Sequence, residues 1–405
     1  MRKFLASPLL VKFLWMVTFI LLYIVGSKLS LPFLDLDKKL VLTQLAPSLE
    51  FSAALTGGNL RSMSFLSVGL SPYMSALLLW QMFSFSKKLG LKALAAEVAG
   101  RRQMYLTLVV ALIQALVVAL SLPVQKGPNR LLLLLLHTSL LVAGTFFLIW
   151  LSDLNSALGL GGSLTILMTS ILAYLPQDLL QSMQDLGLGW AWILGLLLLA
   201  LLYLYLALLM EHGKYRIPVN KLMIHNRFKK YSYLDIKPNP AGGMPVMYAM
   251  TLVSIPQYLL FLALIFFPQS SFLRGANLAL SMGQPAWLLL YLLTIFLLGL
   301  GFAFVNVSGE EIAKQMQESG DYIEGVYPGR ATSRYINGIT LRLAVFGSCY
   351  LLLLTGLPML LLLKDPAFLR ISMIPGIFLI FLGMVLSLQE EIGAIRLNEN
   401  YRRFF

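Results

Sequence analysis

Few side chains in this sequence have the types and spacings that carry out catalysis. Its three histidines, His137, His212 and His225, and its one cysteine, Cys349, show no metal-ligand spacing. An intramembrane hydrolase or transferase would need a carboxylate pair, a Ser/His pair or a histidine cluster, and none is apparent. A Gly-x-x-x-x-Gly-Lys-Ser/Thr phosphate loop is absent as well. The sequence therefore predicts no catalytic residue, no metal site and no cofactor.

The sequence instead favours a membrane helix whose backbone is interrupted. The stretch Lys237–Ala249 joins a basic loop to an apolar run and contains three prolines and two glycines. Proline removes a backbone donor, and glycine lowers the stability of a helix. At membrane depth, interrupted backbone is tolerated only where protein or a water-filled cavity covers it. This stretch therefore predicts a path through the membrane.

The rest of the chain has the composition of the membrane helices that would position such a path. Of 405 residues, 58% are hydrophobic and 12% charged, whereas soluble domains carry about 25% charged residues. A membrane helix needs roughly 20 apolar residues, so the pattern predicts a polytopic all-α protein with ten spans. They are approximately 10–31, 65–83, 105–122, 131–151, 163–177, 190–210, 244–267, 286–306, 340–363 and 371–389.

Lysines and arginines set the predicted orientation of these spans. Most of the 31 lie in segments that face the cytoplasm if the N-terminus is inside. The pattern predicts both termini on the cytoplasmic side of a bacterial membrane. The net charge of +13 then reflects topology and attraction to anionic lipid, with no role for nucleic acid. Two long inner loops, 211–243 and 307–339, are predicted to form a docking surface for a cytosolic partner.

Two halves of the chain, predicted as 1–178 and 179–405, carry matching interruptions. Gly69–Met74 begins span two, and Gly243–Tyr248 begins span seven, each with a glycine, a proline and a methionine. Matching interrupted segments in two halves indicate an inverted repeat around a transport path. Before span two, residues 48–60 are too few and too polar to cross a membrane, and we expect them to fold back into it.

Three classes of function fit such a protein. A small-solute secondary transporter needs buried ionisable groups, but the cores of spans three, four and six to nine contain none, apart from Arg342 at the edge of span nine. An intramembrane lipid or glycan enzyme would need a carboxylate or histidine cluster. A conduit needs neither, and we favour it over these two alternatives. An apolar constriction could form from residues near the breaks or midpoints of the helices, namely Leu70, Met74, Met168, Met247 and Ile380.

Motifs distributed over nearly the whole chain resemble the SecY family, the channel subunits of the Sec protein translocon. Each motif is modest alone, but their order, spacing and topology are specific together. The motifs are Ser64–Ser75, Gly144–Leu151, Gly159–Leu164, Tyr215–Pro218, Lys237–Pro245, Gly325–Arg330 with Thr332, and Arg342 with Leu343.

The resemblance implies two five-helix halves around an hourglass pore, with a lateral gate between spans two to three and seven to eight. Residues 48–60, which we call the plug segment, would seal the outer funnel at rest and include Phe51, Leu55, Gly57 and Gly58. Motif alignment implies a hydrophobic pore ring. Its members would be Leu70, Met74, Leu164, Met168, Met247 and Ile380.

The resemblance also implies that the inner loops dock a SecA-type motor ATPase or a ribosome. The docking residues would be Arg216, Arg227, Lys229, Lys230, Tyr327, Arg330 and Arg334. Tyr327 stands where the family has an arginine, and Glu324 where it has a proline. These departures resemble the accessory branch of the family in Gram-positive bacteria. That branch implies an accessory motor, accessory small membrane subunits and a secreted preprotein, a serine-rich glycosylated adhesin; a housekeeping SecY channel is the alternative.

Overall fold

The computed structural model of the chain describes residues 8–35, 47–85, 95–124, 129–185, 190–221, 232–281, 283–362 and 369–402. Most of them are helical. The helices are α1 Pro8–Lys28, α2 Pro47–Leu55, α3 Ser71–Phe85, α4 Ala96–Ser121, α5 Arg130–Leu158, α6 Gly162–Asp185, α7 Trp190–His212, α8 Met244–Phe266, α9 Ser271–Ala279, α10 Pro285–Asn306, α11 Gly309–Ser319, α12 Arg330–Leu362 and α13 Leu369–Arg402. Two strands, β1 Tyr215–Pro218 and β2 Tyr233–Ile236, pair antiparallel.

Each predicted span overlaps one of these helices. Among the described residues, 7 helices are long and apolar enough to cross a membrane. They are α1, α4, α5, α8, α10, α12 and α13. Shorter apolar stretches lie in α6, over Gly162–Ala173, and in α7, over Leu198–His212. The multi-span character is therefore confirmed, whereas the arrangement of ten spans in two halves stays a prediction.

The predicted limit of residue 65 places the start of span two too early, whereas the interruption Gly69–Met74 contains the observed start. Its helix, α3, begins at Ser71 rather than at residue 65, because Phe65–Leu70 run in turns. Gly69 in this stretch has a φ of 69°, a left-handed conformation that interrupts a helix. Pro72 then falls in the first turn of α3, where a missing backbone donor costs nothing.

The two inner loops contain more structure than the sequence predicted. The loop 211–243 carries the β1–β2 hairpin, which is an exception to the all-α prediction. The loop 307–339 carries α11, and α12 already begins at Arg330. Ser308 caps α11, because its hydroxyl accepts a hydrogen bond from the backbone N–H of Glu311. Spans were predicted from runs of apolar residues. This pattern did not indicate α11 or the first turns of α12, because both are polar.

The chain divides into two compact units. The first unit comprises Met1–Met183, Met250–Leu288 and Met384–Phe405, and the second comprises Gln184–Ala249 and Leu289–Gly383. Helices α8, α10 and α13 contribute residues to both units. The predicted division at residue 178 into related halves stays a prediction.

In the second unit, the two inner loops form one packed body. Backbone hydrogen bonds join Asn220 and Tyr322 in both directions, at N···O distances of 2.8 and 3.0 Å. Beneath this bridge lies a single apolar cluster, to which the hairpin and helices α11 and α12 all contribute. Its buried members are Ile217, Val219, Ile236, Met316, Ile323 and Ile336.

In the first unit, the turn before α3 packs tightly against two membrane helices. A Cβ added at Gly26 of α1 would lie 2.9 Å from the Leu66 side chain, and one added at Gly144 would overlap the carbonyl oxygen of Phe65. Gly144 lies in the middle of α5, so the turn lies beside the central part of a membrane-crossing helix. Backbone can approach this closely only where no side chain intervenes.

This packing predicts that Gly144→Ala destabilises the protein. The added methyl group must displace backbone rather than a flexible side chain, and overpacking of this kind costs about 1–3 kcal/mol. The matched control is Gly100→Ala in α4, where an added Cβ meets nothing within 4 Å and alanine improves helix propensity. Thermal unfolding in detergent should show a lower Tm for Gly144→Ala alone. Equal Tm values for both variants would contradict the tight packing.

Candidate functional site

The plug segment forms a short helix followed by a tight turn. Helix α2 begins at Pro47, a residue favoured in the first turn of a helix. The helix ends after Leu55, where the backbone N–H of Gly58 donates to the carbonyl of Ala53 at 2.8 Å. Every residue from Ser52 to Gly58 is buried, including the predicted plug residues Leu55, Gly57 and Gly58. Phe51 lies in α2 by its backbone.

Side chains from two other helices of the first unit hydrogen-bond the backbone of the plug segment. The Tyr23 hydroxyl of α1 donates to the carbonyl of Gly57 at 2.9 Å. The Ser170 hydroxyl of α6 donates to the carbonyl of Ala54, also at 2.9 Å. The hydroxyl oxygens of Ser52 and Ser254 of α8 are 3.5 Å apart, which is contact distance rather than a good hydrogen bond. Three helices thus surround the segment.

The plug segment is also joined to the start of α3 through backbone. The N–H of Leu70 donates to the carbonyl of Thr56 at 2.7 Å. A Cβ added at Gly58 would overlap the Ser67 carbonyl, and one added at Gly69 would overlap the backbone N of Gly58. Two glycines therefore allow the two backbones to touch, and the predicted ring residue Leu70 stands directly beside the predicted plug.

The predicted pore-ring residues lie in both units. In the first unit, Leu70 and Met74 are buried, with 1% and 4% of their surface exposed, and Leu164 and Met168 of α6 are half-buried. The turn at Gly57 lies against Ile166, between those two α6 residues. Of the four predicted ring residues of this unit, Leu70 contacts the plug segment through its backbone, whereas the contact from α6 comes from Ile166 and Leu167.

In the second unit, Met247 of α8 and Ile380 of α13 are both 4% exposed. Their helices touch at neighbouring positions, because a Cβ added at Gly243 would lie 3.0 Å from the Leu379 carbonyl oxygen. A Cβ at Gly376 would lie 3.5 Å from the Val246 side chain. The interruption that opens α8 therefore lets α13 approach closely.

Sequence reasoning missed the polar residues that hold these elements. Tyr23, Ser170 and Ser254 were not singled out, although a tyrosine hydroxyl in an apolar helix normally needs a partner. Glu391 was also missed; its Oε2 accepts a hydrogen bond from the backbone N of Gly161 at 2.9 Å. This carboxylate lies at the N-terminal end of α6, where the helix dipole favours negative charge, and it ties the last helix to α6.

The predicted docking residues differ in whether their side chains already have partners within the chain. Arg216 is exposed but engaged, with its Nε 3.7 Å from the Asp235 carboxylate and its guanidinium 4.5 Å from the centre of the Tyr233 ring. Lys214 shares the same carboxylate at 3.3 Å. Arg227, Lys229 and Lys230 lie outside the described residues.

Tyr327, Arg330 and Arg334 are exposed on the inner body. The Tyr327 side chain is 86% exposed, while its carbonyl accepts a hydrogen bond from the Thr332 hydroxyl at 2.9 Å. Arg330 and Arg334 follow on the first turns of α12, and both are exposed. The turn is therefore fixed by its backbone, and the aromatic side chain points away from the body.

In the part of the chain that the structure describes, no three His, Cys, Asp or Glu side chains come together in a way that could hold a metal ion. The arrangement provides contacts between a short buried segment and the helices around it. The predicted ring residue Leu70 lies beside a short buried segment that hydrogen bonds from α1 and α6 hold in place.

The fold is that of Sec-type membrane channels. A solved protein-conducting channel superposes with a TM-score of 0.69 at 17% sequence identity, covering 96% of this chain and 93% of its own. The Sec61 chain of a canine ribosome–channel complex superposes with a TM-score of 0.66 at 16% identity, covering 96% of this chain and 93% of its own.

The sequence profile of the SecY family matches residues 64–388, and the chain belongs to that family. The accessory Sec system protein translocase subunit SecY2 of Streptococcus sanguinis is 54% identical, over 99% of both chains. The protein of the same description from Streptococcus gordonii is 52% identical, over 100% of both. The predicted resemblance to the accessory branch of the family is thereby confirmed.

The contacts of the plug segment predict how its stability responds to mutation. The double variant Tyr23→Phe with Ser170→Ala removes two neutral hydrogen bonds, each worth about 1 kcal/mol. We expect amide exchange of the peptide covering Leu55–Leu60 to become faster by about fivefold for each bond removed, in chain reconstituted in lipid nanodiscs. Hydrogen-exchange mass spectrometry measures this rate.

The matched control is Tyr105→Phe, which removes a hydroxyl from a tyrosine of α4 that is 64% exposed. It should leave the exchange of the same peptide unchanged. If the double variant exchanges no faster than this control, the two hydroxyls do not hold the segment.

Proposed function

We propose that this chain is the protein-conducting channel subunit of an accessory Sec translocase in a bacterial cytoplasmic membrane. Its ten helices would form two related halves around a central pore, with both termini in the cytoplasm. The observation that carries the proposal is the seating of the plug segment, which touches Leu70 through backbone and is held at Gly57 and Ala54 by side chains of two helices. Family membership supports the same function.

In this proposal the six ring residues form the constriction of the pore. All are apolar, and three are methionines, Met74, Met168 and Met247, whose flexible thioether chains can adapt to varied cargo. A ring of such side chains resists ion flow because water leaves a narrow apolar opening. The plug segment closes the same opening at rest, and it moves aside when a polypeptide enters.

The channel itself would supply a gated opening without chemistry of its own. A SecA-type ATPase, the accessory paralogue, would push an unfolded polypeptide through the ring, so that ATP hydrolysis by the motor provides the free energy. Secreted preprotein, and in particular a serine-rich glycosylated adhesin, would be the cargo. Accessory small membrane subunits would complete the translocase, and anionic lipid would bind the basic inner segments.

We propose that the motor docks on the inner body formed by the hairpin, α11 and α12. Two features support this surface. The exposed residues Tyr327, Arg330 and Arg334 lie at one turn and the helix that follows it. The turn also rests on a buried apolar cluster, so a motor would meet a rigid surface rather than a flexible loop. Arg216, which pairs with Asp235, would contribute less than an unpaired cation.

A predicted contact with cargo tests the pore assignment. Photocrosslinking probes at Met74 and Met247 should capture a stalled export substrate, because both residues belong to the proposed ring. Leu198 of α7 is 65% exposed on an apolar helix and should capture lipid rather than cargo. The readout is the yield of substrate-linked chain on a gel. Equal yields at all three positions would rule out this ring.

A second experiment tests the surface used by the motor. Tyr327→Arg restores the charge that the family has at this position, and an added exposed charge pair contributes up to about 1 kcal/mol. The channel stimulates the ATPase activity of its motor. We expect the stimulated ATPase rate of a housekeeping SecA, divided by that of the accessory motor, to rise by roughly fivefold. Tyr322→Arg, at a tyrosine that is 42% exposed and lies on the hairpin bridge, provides the control. If wild type stimulates both motors equally, the accessory assignment of the motor fails.

A further inference from the structure

Two of the helices that carry predicted ring residues begin at a pair of adjacent glycines. The start of α6 falls between Gly161 and Gly162, and α8 begins directly after Gly242 and Gly243. Gly161, Gly162 and Gly242 have φ values of 73°, 50° and 63°, a conformation that residues with a Cβ rarely adopt. Glycine also restrains the backbone less than any other residue. Other groups must therefore fix the place at which each of these helices begins.

The glycine pair of α6 is held by the last helix, α13. The Glu391 carboxylate accepts a hydrogen bond from the backbone N–H of Gly161 at 2.9 Å. A Cβ added at Gly161 would lie 3.0 Å from the Leu388 side chain. Leu388 and Glu391 are neighbours on one face of α13, because residues three apart lie side by side on a helix. This face of α13 therefore touches the point at which α6 begins.

Asn155 of α5 holds the same turn independently of α13. Its side-chain amide donates to the carbonyl oxygens of Leu160 and Gly162, both at 2.9 Å. Removal of the Glu391 carboxylate therefore leaves the turn closed by Asn155 while it removes the hydrogen bond from the turn to α13. The tie to α13 can thus be tested without unfolding the turn.

The glycine pair of α8 is held in a comparable way within the second unit. The Glu211 side chain, at the end of α7, is 12% exposed, and its Oε2 lies 3.2 Å from the Lys237 Nζ. A Cβ added at Gly242 would lie 3.3 Å from the Oε1 of the same carboxylate. The amide of Asn306 in α10 donates to the carbonyl of Pro240 at 2.9 Å. One carboxylate and one amide therefore hold the stretch before α8, as they hold the turn before α6.

The groups that these helices position lie close to the glycine pairs. Leu164, Met168 and Ser170 all lie in the first three turns of α6, a length of about 14 Å. Ser170 donates to the carbonyl of Ala54 in the plug segment, and Met247 lies in the first turn of α8. Backbone hydrogen bonds in every turn make so short a stretch of helix move as one piece. A shift of either glycine pair would therefore shift these side chains.

We infer that Glu391 and Glu211 are positioning residues for the pore ring. By holding the two glycine pairs, the carboxylates keep Leu164, Met168 and Met247 in their resting positions, and Glu391 also preserves the contact between Ser170 and the plug segment. The inference rests on the proposed function, because only a pore gives these positions a consequence for ion flow. Both carboxylates act through the helices that they hold.

Ion efflux from proteoliposomes that contain the full chain without a motor tests this inference. Glu391→Ala and Glu211→Ala should each raise resting iodide efflux by roughly fivefold, which corresponds to the loss of about one hydrogen bond. Glu391→Gln keeps an oxygen that can accept from the Gly161 N–H, and its efflux should equal that of wild type. The matched control is Glu97→Ala in α4, which removes a carboxylate that is 87% exposed and pairs with Arg101. Efflux from Glu391→Gln as high as from Glu391→Ala would overturn the inference.

Hydrogen-exchange mass spectrometry on the same samples measures the positions directly. In Glu391→Ala, the peptide at the start of α6 and the peptide Leu55–Leu60 should both exchange faster than in wild type. In Glu211→Ala, the peptide Gly242–Met247 should exchange faster. Faster exchange at α6 with no change over Leu55–Leu60, or no change over Gly242–Met247, would overturn the inference. Faster exchange in all three peptides with unchanged efflux would support the positioning role and contradict the pore assignment instead.

Discussion

An interruption of helical backbone beside membrane-crossing helices must find its hydrogen bonds within the protein. The stretch Thr56–Leu70 meets this constraint. The N–H of Leu70 bonds to the Thr56 carbonyl at 2.7 Å, and Leu31 and Phe65 bond across to Met63 and Leu29 at 3.0 and 3.3 Å. The bond between Leu70 and Thr56 can form because Gly58 and Gly69 let two backbones touch. The position of α3, and of Leu70 and Met74 on it, depends on this arrangement.

Two kinds of interaction hold the plug segment in its place. Two neutral hydrogen bonds, from Tyr23 and Ser170, contribute about 1 kcal/mol each. Burial of apolar side chains such as Leu49 and Leu55 contributes about 1.5–3 kcal/mol each. Apolar burial therefore outweighs the hydrogen bonds, which mainly fix the register of the segment. In the proposed function, a polypeptide would have to replace these apolar contacts with its own.

The sequence predicted what depends on composition and local pattern. Apolar runs located the membrane helices, and the Gly-Pro-Met interruptions located the starts of α3 and α8. It missed features that depend on distant partners, such as the bond from Tyr23 to Gly57 across 34 positions and that from Gly161 to Glu391 across 230. The polar helix α11 was missed for a different reason, since its signals were present: Ser308 with Glu311 as a cap, and Gly320 after its end.

The central claim is that residues 52–58 occupy the place through which a polypeptide passes. The most direct test is a cryo-EM structure of the chain in a nanodisc with a stalled export substrate and its motor. We expect substrate density to run past Leu70 and Met74, and the contacts of Gly57 with Tyr23 and of Ala54 with Ser170 to be lost. Substrate density in the membrane with both contacts still intact would contradict the claim.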